Sequence, residues 1–169
     1  MTSGGSLRVA LAGPMGAGKS SVGRELARCE RSSFVDLDAR IVEGCGEANS
    51  VADIFAREGE PGFRLREAAA LREAVQGDGV LALGGGTVVS AGNRALLQTH
   101  GWRTFVLQAS LVTLRARIGA DDGRPLLNEL ERLVSARAKA YRAAGEAVVT
   151  DGLTVAEVVD ALRARLGRR

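Results

Sequence analysis

The sequence predicts an α/β domain in which helices cover both faces of a parallel sheet. Five short apolar runs indicate buried strands, at 7–12, 33–37, 79–83, 102–108 and 147–150. Helix-forming segments separate these runs, and such alternation is typical of a parallel sheet. The chain has 169 residues and no internal repeat or linker, so we expect one domain over 1–169.

Capping residues and one proline mark the helices between these strands. The stretch 19–28 has apolar residues at helical spacing and follows the first strand. Residues 50–53 resemble a capping box with Asp in place of Glu, and Pro61 suits the first turn of a helix that runs to about residue 75. Residues 154–157 form a complete capping box, which predicts a last helix toward Leu166.

Composition excludes several kinds of catalytic site. His100 is the only histidine, which excludes a Ser-His-Asp triad, a Cys-His pair and the common zinc sites. Cys29 and Cys45 form no CxxC motif and are expected to be reduced thiols. The net charge of +3 suits acidic ligands but is too small to predict nucleic-acid binding. With no apolar run near the ~20 residues of a membrane helix and no signal-peptide pattern, a cytoplasmic protein is expected.

The clearest motif is a phosphate-binding loop between the first strand and the first helix. Residues 13–20 read GPMGAGKS and match G-x-x-x-x-G-K-[ST] in the required context. In such a loop, backbone N–H groups cradle phosphates, the lysine reaches the β- and γ-phosphates, and the hydroxyl binds Mg²⁺. Neither lysine belongs to a guanine-reading N-K-x-D motif, so we expect a small-molecule kinase that uses ATP and Mg²⁺. The nucleotide-binding residues are then Gly13, Gly16, Ala17, Gly18, Lys19, Ser20 and Ser21.

Two more segments follow predicted strands. Asp36 and Asp38 are expected to emerge together from the second strand, since alternate residues of a strand face the same way. One carboxylate could hold a water bound to Mg²⁺ and the other could accept a hydrogen bond from an attacking hydroxyl; a plain strand end with Asp38 as helix N-cap is the alternative. The glycines at 84–86 follow the third strand, and either admit a ligand close to the main chain or form a tight turn.

Arginine is abundant, so most arginines are expected to be solvated. Arg64 and Glu67 are three residues apart and could pair on one helix face. The stretch 119–129 combines Gly, Asp and Pro, which predicts a loop that could act as a lid.

In order along the chain, these segments resemble those of shikimate kinases. Besides the phosphate loop, the matching segments are FVDLD at 34–38, VADIF at 51–55, GE at 59–60, FR with Glu67 at 63–67, LGGG at 83–86, RPLL at 124–127, and Arg137 before YR at 141–142. The resemblance spans about 7–166, nearly the whole chain. It implies a single-domain P-loop fold of three α/β/α layers, with a five-stranded parallel sheet in the order 2-3-1-4-5.

The resemblance implies transfer of the γ-phosphoryl group of ATP to the 3-hydroxyl of shikimate, in the pathway to chorismate and the aromatic amino acids. A kinase of another small hydroxy acid, such as gluconate, is one alternative, and a nucleotide-binding module without catalysis is another. The family also implies a lid at about 119–130, a substrate-binding segment at about 38–67, and a monomer. The small net charge and the lack of a long apolar run predict that the protein has no nucleic-acid or membrane partner.

Residue roles follow from the same resemblance, position by position. Lys19, Asp38 and Arg124 are implied to be catalytic, Ser20 and Asp36 to hold Mg²⁺, and Arg117 to stack on adenine. The implied substrate-binding residues are Asp38, Phe55, Phe63, Arg64, Gly84, Gly85, Gly86, Arg124 and Arg137. Two segments depart from the family pattern, because the chain is short between 127 and 137 and compact at 150–153. A trimmed lid and loose nucleotide selectivity are therefore expected.

Overall fold

A parallel sheet of five strands forms the centre of the computed structural model, in the order β2-β3-β1-β4-β5. The structure describes residues 6–46, 48–119 and 124–168, and of residues 124–128 the backbone alone. The strands are β1 (Arg8–Ala12), β2 (Phe34–Asp36), β3 (Gly79–Ala82), β4 (Arg103–Gln108) and β5 (Glu146–Val149). All five apolar runs are therefore confirmed as strands, and the order implied by the resemblance is confirmed as well.

Helices connect consecutive strands. They are α1 (Lys19–Cys29), α2 (Leu37–Glu43), α3 (Val51–Ala74), α4 (Ala91–Thr99), α5 (Leu111–Ile118), α6 (Arg124–Ala144) and α7 (Val155–Arg165), with a 3-10 turn at Thr87–Val89. None of the helices in the described part of the chain is long and apolar enough to cross a membrane.

The two faces of the sheet pack against separate apolar clusters. Val9 and Leu11 of β1 belong to a cluster that includes residues of α1 and α7, whereas Ala10 and Ala12 belong to one that includes residues of α3 and α4. Alternate residues of one strand point to opposite faces, so a continuous apolar run fills both clusters. This arrangement is the predicted three-layer α/β/α fold.

Helix α3 consists of two segments that meet at a kink. Gly59 has φ 68° and ψ −179°, a backbone conformation that only glycine adopts readily, and Pro61 follows in the first turn of the second segment. The Ser50 hydroxyl caps the first segment by accepting from the Asp53 N–H at 3.1 Å. The kink brings Phe55 and Phe63 together, with ring centroids 4.5 Å apart.

The loop predicted over 119–129 is shorter than expected, and so is any loop within the implied lid at about 119–130. Helix α6 already begins at Arg124, so residues 124–130 are helical. Pro125 contributes to the loop prediction, but proline is also favoured in the first turn of a helix, which is where it lies in α6. Residues 120–123 lie outside the described part of the chain, and a lid in this region stays a prediction.

The capping box of α7 provides a test of the fold. The Thr154 hydroxyl accepts from the Glu157 N–H at 3.3 Å, and the Glu157 carboxylate accepts from the Thr154 N–H at 2.8 Å. We expect Thr154→Ala to lower the free energy of unfolding by about 1 kcal/mol and Tm by about 2–4 °C, because an N-terminal N–H loses its acceptor. Urea and thermal unfolding measure both values. Thr99→Ala, at the exposed last turn of α4, is the control, and equal losses in the two variants would contradict the capping role.

Candidate active site

A cavity of about 830 Å³ lies along the edge of the sheet where the strands end. Its walls come from the phosphate loop, the segments after β2, β3 and β5, both segments of α3, and helices α5, α6 and α7. Residues predicted from the sequence that line it are Gly16, Ala17, Gly18, Lys19, Ser20, Ser21, Asp36, Asp38, Phe55, Phe63, Arg64, Gly84, Gly85, Gly86, Arg117 and Arg137. Gly13 lies at the start of the loop, and the side chain of Arg124 is outside the described part of the chain.

The phosphate loop turns directly from β1 into α1. Gly18 precedes the helix in a left-handed conformation, φ 92° and ψ 15°, which a residue with a Cβ adopts only with strain. The Lys19 ammonium donates to the carbonyls of Gly13 and Pro14, both at 2.9 Å, so the side chain lies over its own loop. The N-terminus of α1 and this ammonium face the same space, an arrangement that suits phosphate groups.

The charged form of Lys19 is destabilised by burial in the fold. Burial lowers the pKa of Lys19 to about 8, although the nearby carboxylates of Asp38 and Asp36 favour its charged form. The guanidinium of Arg137 lowers this pKa further. The site therefore places two cations close together at its centre, as expected where an anion binds.

Asp36 connects the ends of two elements. It closes β2 and serves as N-cap of α2, where its Oδ1 accepts from the Ala39 N–H at 3.3 Å. Its Oδ2 accepts from the Ser20 hydroxyl at 2.6 Å. Carboxylate and hydroxyl oxygens are the ligands that Mg²⁺ prefers, and Mg²⁺ keeps several waters and phosphate oxygens in its shell. The chemistry of the Ser20 hydroxyl and the Asp36 carboxylate therefore fits Mg²⁺. Within the described residues, no group of three or more Asp, Glu, His or Cys could hold a metal ion.

Asp38 lies at the cavity as predicted, but on a helix and not at the end of a strand. The sequence predicted that it would leave a strand on the same side as Asp36, but β2 ends at Asp36 and Asp38 lies in the first turn of α2. Asp36, rather than Asp38, is the helix cap. Burial raises the pKa of Asp38, and the carboxylates of Asp36 and Glu67 raise it further against the opposing charges of Lys19 and Arg64.

Charged side chains occupy the space that a Cβ would take on the triple glycine, residues 84–86. A Cβ on Gly84 would lie 2.7 Å from Oδ1 of Asp38, and one on Gly85 would lie 3.3 Å from a guanidinium nitrogen of Arg137. A Cβ on Gly86 would overlap the guanidinium of Arg64. The segment is thus a surface on which two arginines and an aspartate lie directly against the main chain.

The two arginines at the triple glycine are held differently. Arg64 donates to the buried carboxylate of Glu67 at 2.8 Å and to Glu60 at 3.2 Å, which confirms the predicted pairing with Glu67. Glu67 also accepts from the Thr87 hydroxyl at 2.6 Å, so Arg64 is fixed by a buried network. Among the described residues, Arg137 has no carboxylate within ion-pair distance. The Arg137 side chain has a hydrogen bond with the Tyr141 hydroxyl instead. Carboxylates therefore neutralise the charge of Arg64, whereas no carboxylate of the described residues neutralises that of Arg137.

At the opposite end of the cavity, Arg117 joins three elements. It donates to the hydroxyl and the carbonyl of Thr150, both at 2.9 Å, and approaches the carbonyl of Ala17 at 3.5 Å. The Asp151 carboxylate accepts from the Ser110 N–H at 3.0 Å and so ties this segment to the start of α5. Leu153 and other apolar side chains line the same end of the cavity and form a surface suited to a flat ring.

Sequence reasoning assigned no role to three hydroxyls of this site, those of Tyr141, Thr87 and Thr150. Tyr141 lies within a matching segment, but no role was assigned to it, and its hydroxyl donates to the Gly85 carbonyl at 2.7 Å. The signal was its position four residues after Arg137, which places both side chains on one face of a helix. Thr87, which bonds to Glu67, follows the triple glycine directly and carried no signal of its own.

Comparisons with known proteins agree on one family. A family model described as shikimate kinase matches residues 15–166. A Bordetella pertussis protein named shikimate kinase is 41% identical over 168 residues, covering 95% of this chain and 78% of that protein. A Pseudomonas aeruginosa protein of the same name is 42% identical over 165 residues, covering 90% and 94%.

Solved structures give the same result. The shikimate kinase of Acinetobacter baumannii, in complex with shikimate, superposes with a TM-score of 0.85 at 33% identity, covering 95% of this chain and 94% of that one. A gluconokinase from Sinorhizobium meliloti superposes with a TM-score of 0.62 at 20% identity, which shows a shared fold alone.

The lowered pKa of Lys19 makes a prediction about stability. Below pH 8 the folded protein must hold a desolvated ammonium, whereas the unfolded chain keeps its lysine charged up to about pH 10.5. We expect Lys19→Met to raise the free energy of unfolding at pH 7 by about 1–3 kcal/mol, after the loss of two hydrogen bonds. This advantage should shrink from pH 8 toward pH 10, where only the unfolded wild type still binds the proton.

Urea unfolding at several pH values measures the difference between wild type and Lys19→Met. The control is Lys139→Met, since Lys139 is the other lysine and is exposed on α6. If Lys19→Met is no more stable than wild type at pH 7, or if its extra stability does not change with pH, burial does not destabilise the charged form of Lys19.

Proposed function

The chain belongs to the shikimate kinase family, and from that premise we propose that it transfers the γ-phosphoryl group of ATP to the 3-hydroxyl of shikimate. One observation supports this more than any other. A single cavity contains a phosphate loop, two arginines at a triple glycine, and Asp38. These groups match the three parts of the reaction, which are a nucleotide, a carboxylic acid and a hydroxyl.

The arginine end of the cavity suits the carboxylate of the acid. Guanidinium groups bind carboxylates through two parallel N–H donors, which fixes orientation as well as charge. Arg64 is held in place by Glu67, and Arg137 lies against Gly85. Phe55 and Phe63 form an apolar wall beside them and suit the carbon ring of the acid.

Asp38 suits the hydroxyl that attacks. Its carboxylate lies beside Gly84, and Lys19 and Arg64 are near enough to act on its charge. The hydroxyl oxygen forms a bond to the γ-phosphorus, the bond from that phosphorus to the β-γ bridging oxygen breaks, and ADP leaves with the electron pair. The hydroxyl proton passes to the Asp38 carboxylate, whose raised pKa makes it a better base than an ordinary aspartate.

The phosphate loop suits the nucleotide. Lys19 would exchange its hydrogen bonds to the Gly13 and Pro14 carbonyls for bonds to the β- and γ-phosphates. Ser20 and Asp36 would hold Mg²⁺, which when bound neutralises phosphate charge. We assign Arg117 to adenine and Arg124 to the transferring phosphate, both on the family resemblance. A monomer and a cytoplasmic location are proposed on the same ground.

Coupled release of ADP from Mg²⁺-ATP tests the proposal, with shikimate, quinate, gluconate and no acceptor compared in parallel. We expect release to depend on shikimate, and to be lost in Lys19→Ala but kept in Lys139→Ala. Release with gluconate and not with shikimate would transfer the assignment to another hydroxy acid. ATP binding with no turnover on any acceptor would indicate a binding module.

The raised pKa of Asp38 predicts the acid side of the pH profile. Since the carboxylate form accepts the proton, kcat/KM should fall as the pH drops through this raised pKa, at a higher pH than an unperturbed aspartate would give. Asp38→Asn should lower kcat by about 10²–10⁴-fold because the amide accepts no proton. Steady-state kinetics for both substrates measure this, with the KM for ATP expected within twofold of wild type.

Asp53→Asn is the control for Asp38→Asn, since Asp53 lies at the start of α3 and does not line the cavity. A wild-type kcat in Asp38→Asn would remove Asp38 from the mechanism. An equal rise in both KM values would indicate a general disturbance of the site instead.

A further inference from the structure

The resemblance to shikimate kinases assigns the backbone of Gly85 and Gly86 to the carboxylate of the acid substrate. We propose that Tyr141 is a positioning residue for this backbone, because its hydroxyl fixes the peptide between Gly85 and Gly86 and so holds the Gly86 N–H toward the carboxylate. This inference rests on the proposed function and adds one specific interaction to it. The hydroxyl of Tyr141 donates to the Gly85 carbonyl at 2.7 Å, and the side chain is 5% exposed.

All three carbonyls of the triple glycine accept a hydrogen bond. Those of Gly84 and Gly86 accept from the N–H groups of Thr87 and Val89, at 3.2 and 3.0 Å, within the short turn that follows. The Gly85 carbonyl accepts from Tyr141 instead. The turn therefore fixes the two outer carbonyls, and a side chain from α6 fixes the middle one.

Fixing that carbonyl also fixes the next N–H. The Gly85 C=O and the Gly86 N–H belong to one planar trans peptide and point in opposite directions. Among the residues that the structure describes, none accepts a hydrogen bond from the Gly86 N–H. Gly86 lines the cavity, and its Cα lies against the guanidinium of Arg64. The arrangement leaves this N–H as a third donor beside two arginines.

The peptide needs an external restraint because it joins two glycines. Glycine occupies positive and negative φ about equally well, so a peptide between two glycines can rotate with little steric cost. A Cβ on Gly84 or Gly86 would displace Asp38 or Arg64, and one on Gly85 would be in tight contact with Arg137, so a larger residue here would disturb the charged side chains of the site. A buried hydroxyl on a neighbouring helix supplies the restraint without occupying that space.

Tyr141 is placed so that it acts together with Arg137. The two residues are four positions apart on α6, and the Tyr141 ring packs in the apolar cluster beneath the cavity. Burial raises the pKa of Tyr141, although Arg137 opposes this, so the phenol remains a hydrogen-bond donor at neutral pH. One helix thus positions both a guanidinium and the loop amide next to it.

Tyr141→Phe tests the inference, since it keeps the ring and removes the hydroxyl, which donates to Gly85 and also has a hydrogen bond with the Arg137 side chain. The amide measurement below separates an effect on the loop peptide from an effect on Arg137. We expect KM for shikimate to rise about tenfold, equivalent to about 1.4 kcal/mol, because the loop amide is no longer held toward the carboxylate. KM for ATP should stay within twofold and kcat within about threefold, since Asp38 and the phosphate loop are unchanged.

Trp102→Phe is the matched control for a general loss of packing. Its indole N–H also donates to a backbone carbonyl, that of Val75 at 3.1 Å, and Trp102 is buried in the same apolar cluster without lining the cavity. Both variants should melt below wild type, but only Tyr141→Phe should raise KM for shikimate. The inference would be overturned if Tyr141→Phe and Trp102→Phe had the same KM for shikimate. It would also be overturned if Tyr141→Phe raised KM for ATP and KM for shikimate together.

A second measurement observes the peptide itself. The sequence contains only three glycines preceded by glycine, which are Gly5, Gly85 and Gly86. Glycine labelled with ¹³C at the carbonyl and with ¹⁵N therefore gives three filtered amide signals. Shikimate should shift a loop signal of the wild type, and in Tyr141→Phe the loop signals should broaden or double before shikimate is added. Loop signals that superpose on those of wild type would overturn the proposed restraint.

The wild-type assay separates this inference from the proposed function. Wild type that fails to use shikimate overturns the proposed function, and the inference that rests on it. Wild type that uses shikimate, with a Tyr141→Phe variant of unchanged KM and unchanged amide signals, overturns the inference alone.

Discussion

Parallel strands end at one edge of a sheet, and this geometric constraint decides where the chemistry of this protein lies. The order β2-β3-β1 places the segment after β3 between the other two. The triple glycine consequently lies between the aspartates that follow β2 and the phosphate loop that follows β1. Three segments far apart in sequence become neighbours because their strands are hydrogen-bonded side by side.

Charged groups of opposite sign lie close together at this edge. Burial lowers the pKa of Lys19 and raises the pKa of Asp38. Lys19 and Asp38 both move toward their neutral forms, since low solvation disfavours any charge. The cost falls when a phosphate or a carboxylate enters, because each brings a partner for an underpaired cation. The buried cations of the site therefore favour negatively charged ligands. The net charge of the whole chain does not show this, because it sums over solvated side chains far from the site.

Much of this could be predicted from local pattern, and each failure has a physical cause. The strands, the phosphate loop and the α7 capping box depend on runs of adjacent residues, and all were predicted. The position of Asp38 was wrong because the sequence does not show which carboxylate accepts from the first N–H groups of α2. Asp36 accepts from the Ala39 N–H, so the strand ends at Asp36 and Asp38 lies in the helix. Tyr141 was missed because its acceptor, the Gly85 carbonyl, lies on a different element.

Tyr141 contacts the triple glycine near the C-terminal end of α6, so most of the helix extends away from that contact. Tyr141 and Arg137 lie about 6 Å apart along its axis, whereas Arg124 begins the helix about 25 Å from Tyr141 at 1.5 Å per residue. A tilt of about 10° around Tyr141 displaces the first turn by about 4 Å and the level of Arg137 by only about 1 Å. A tilt of this kind would therefore move the first turn of α6, next to the predicted lid, and leave Arg137 almost in place.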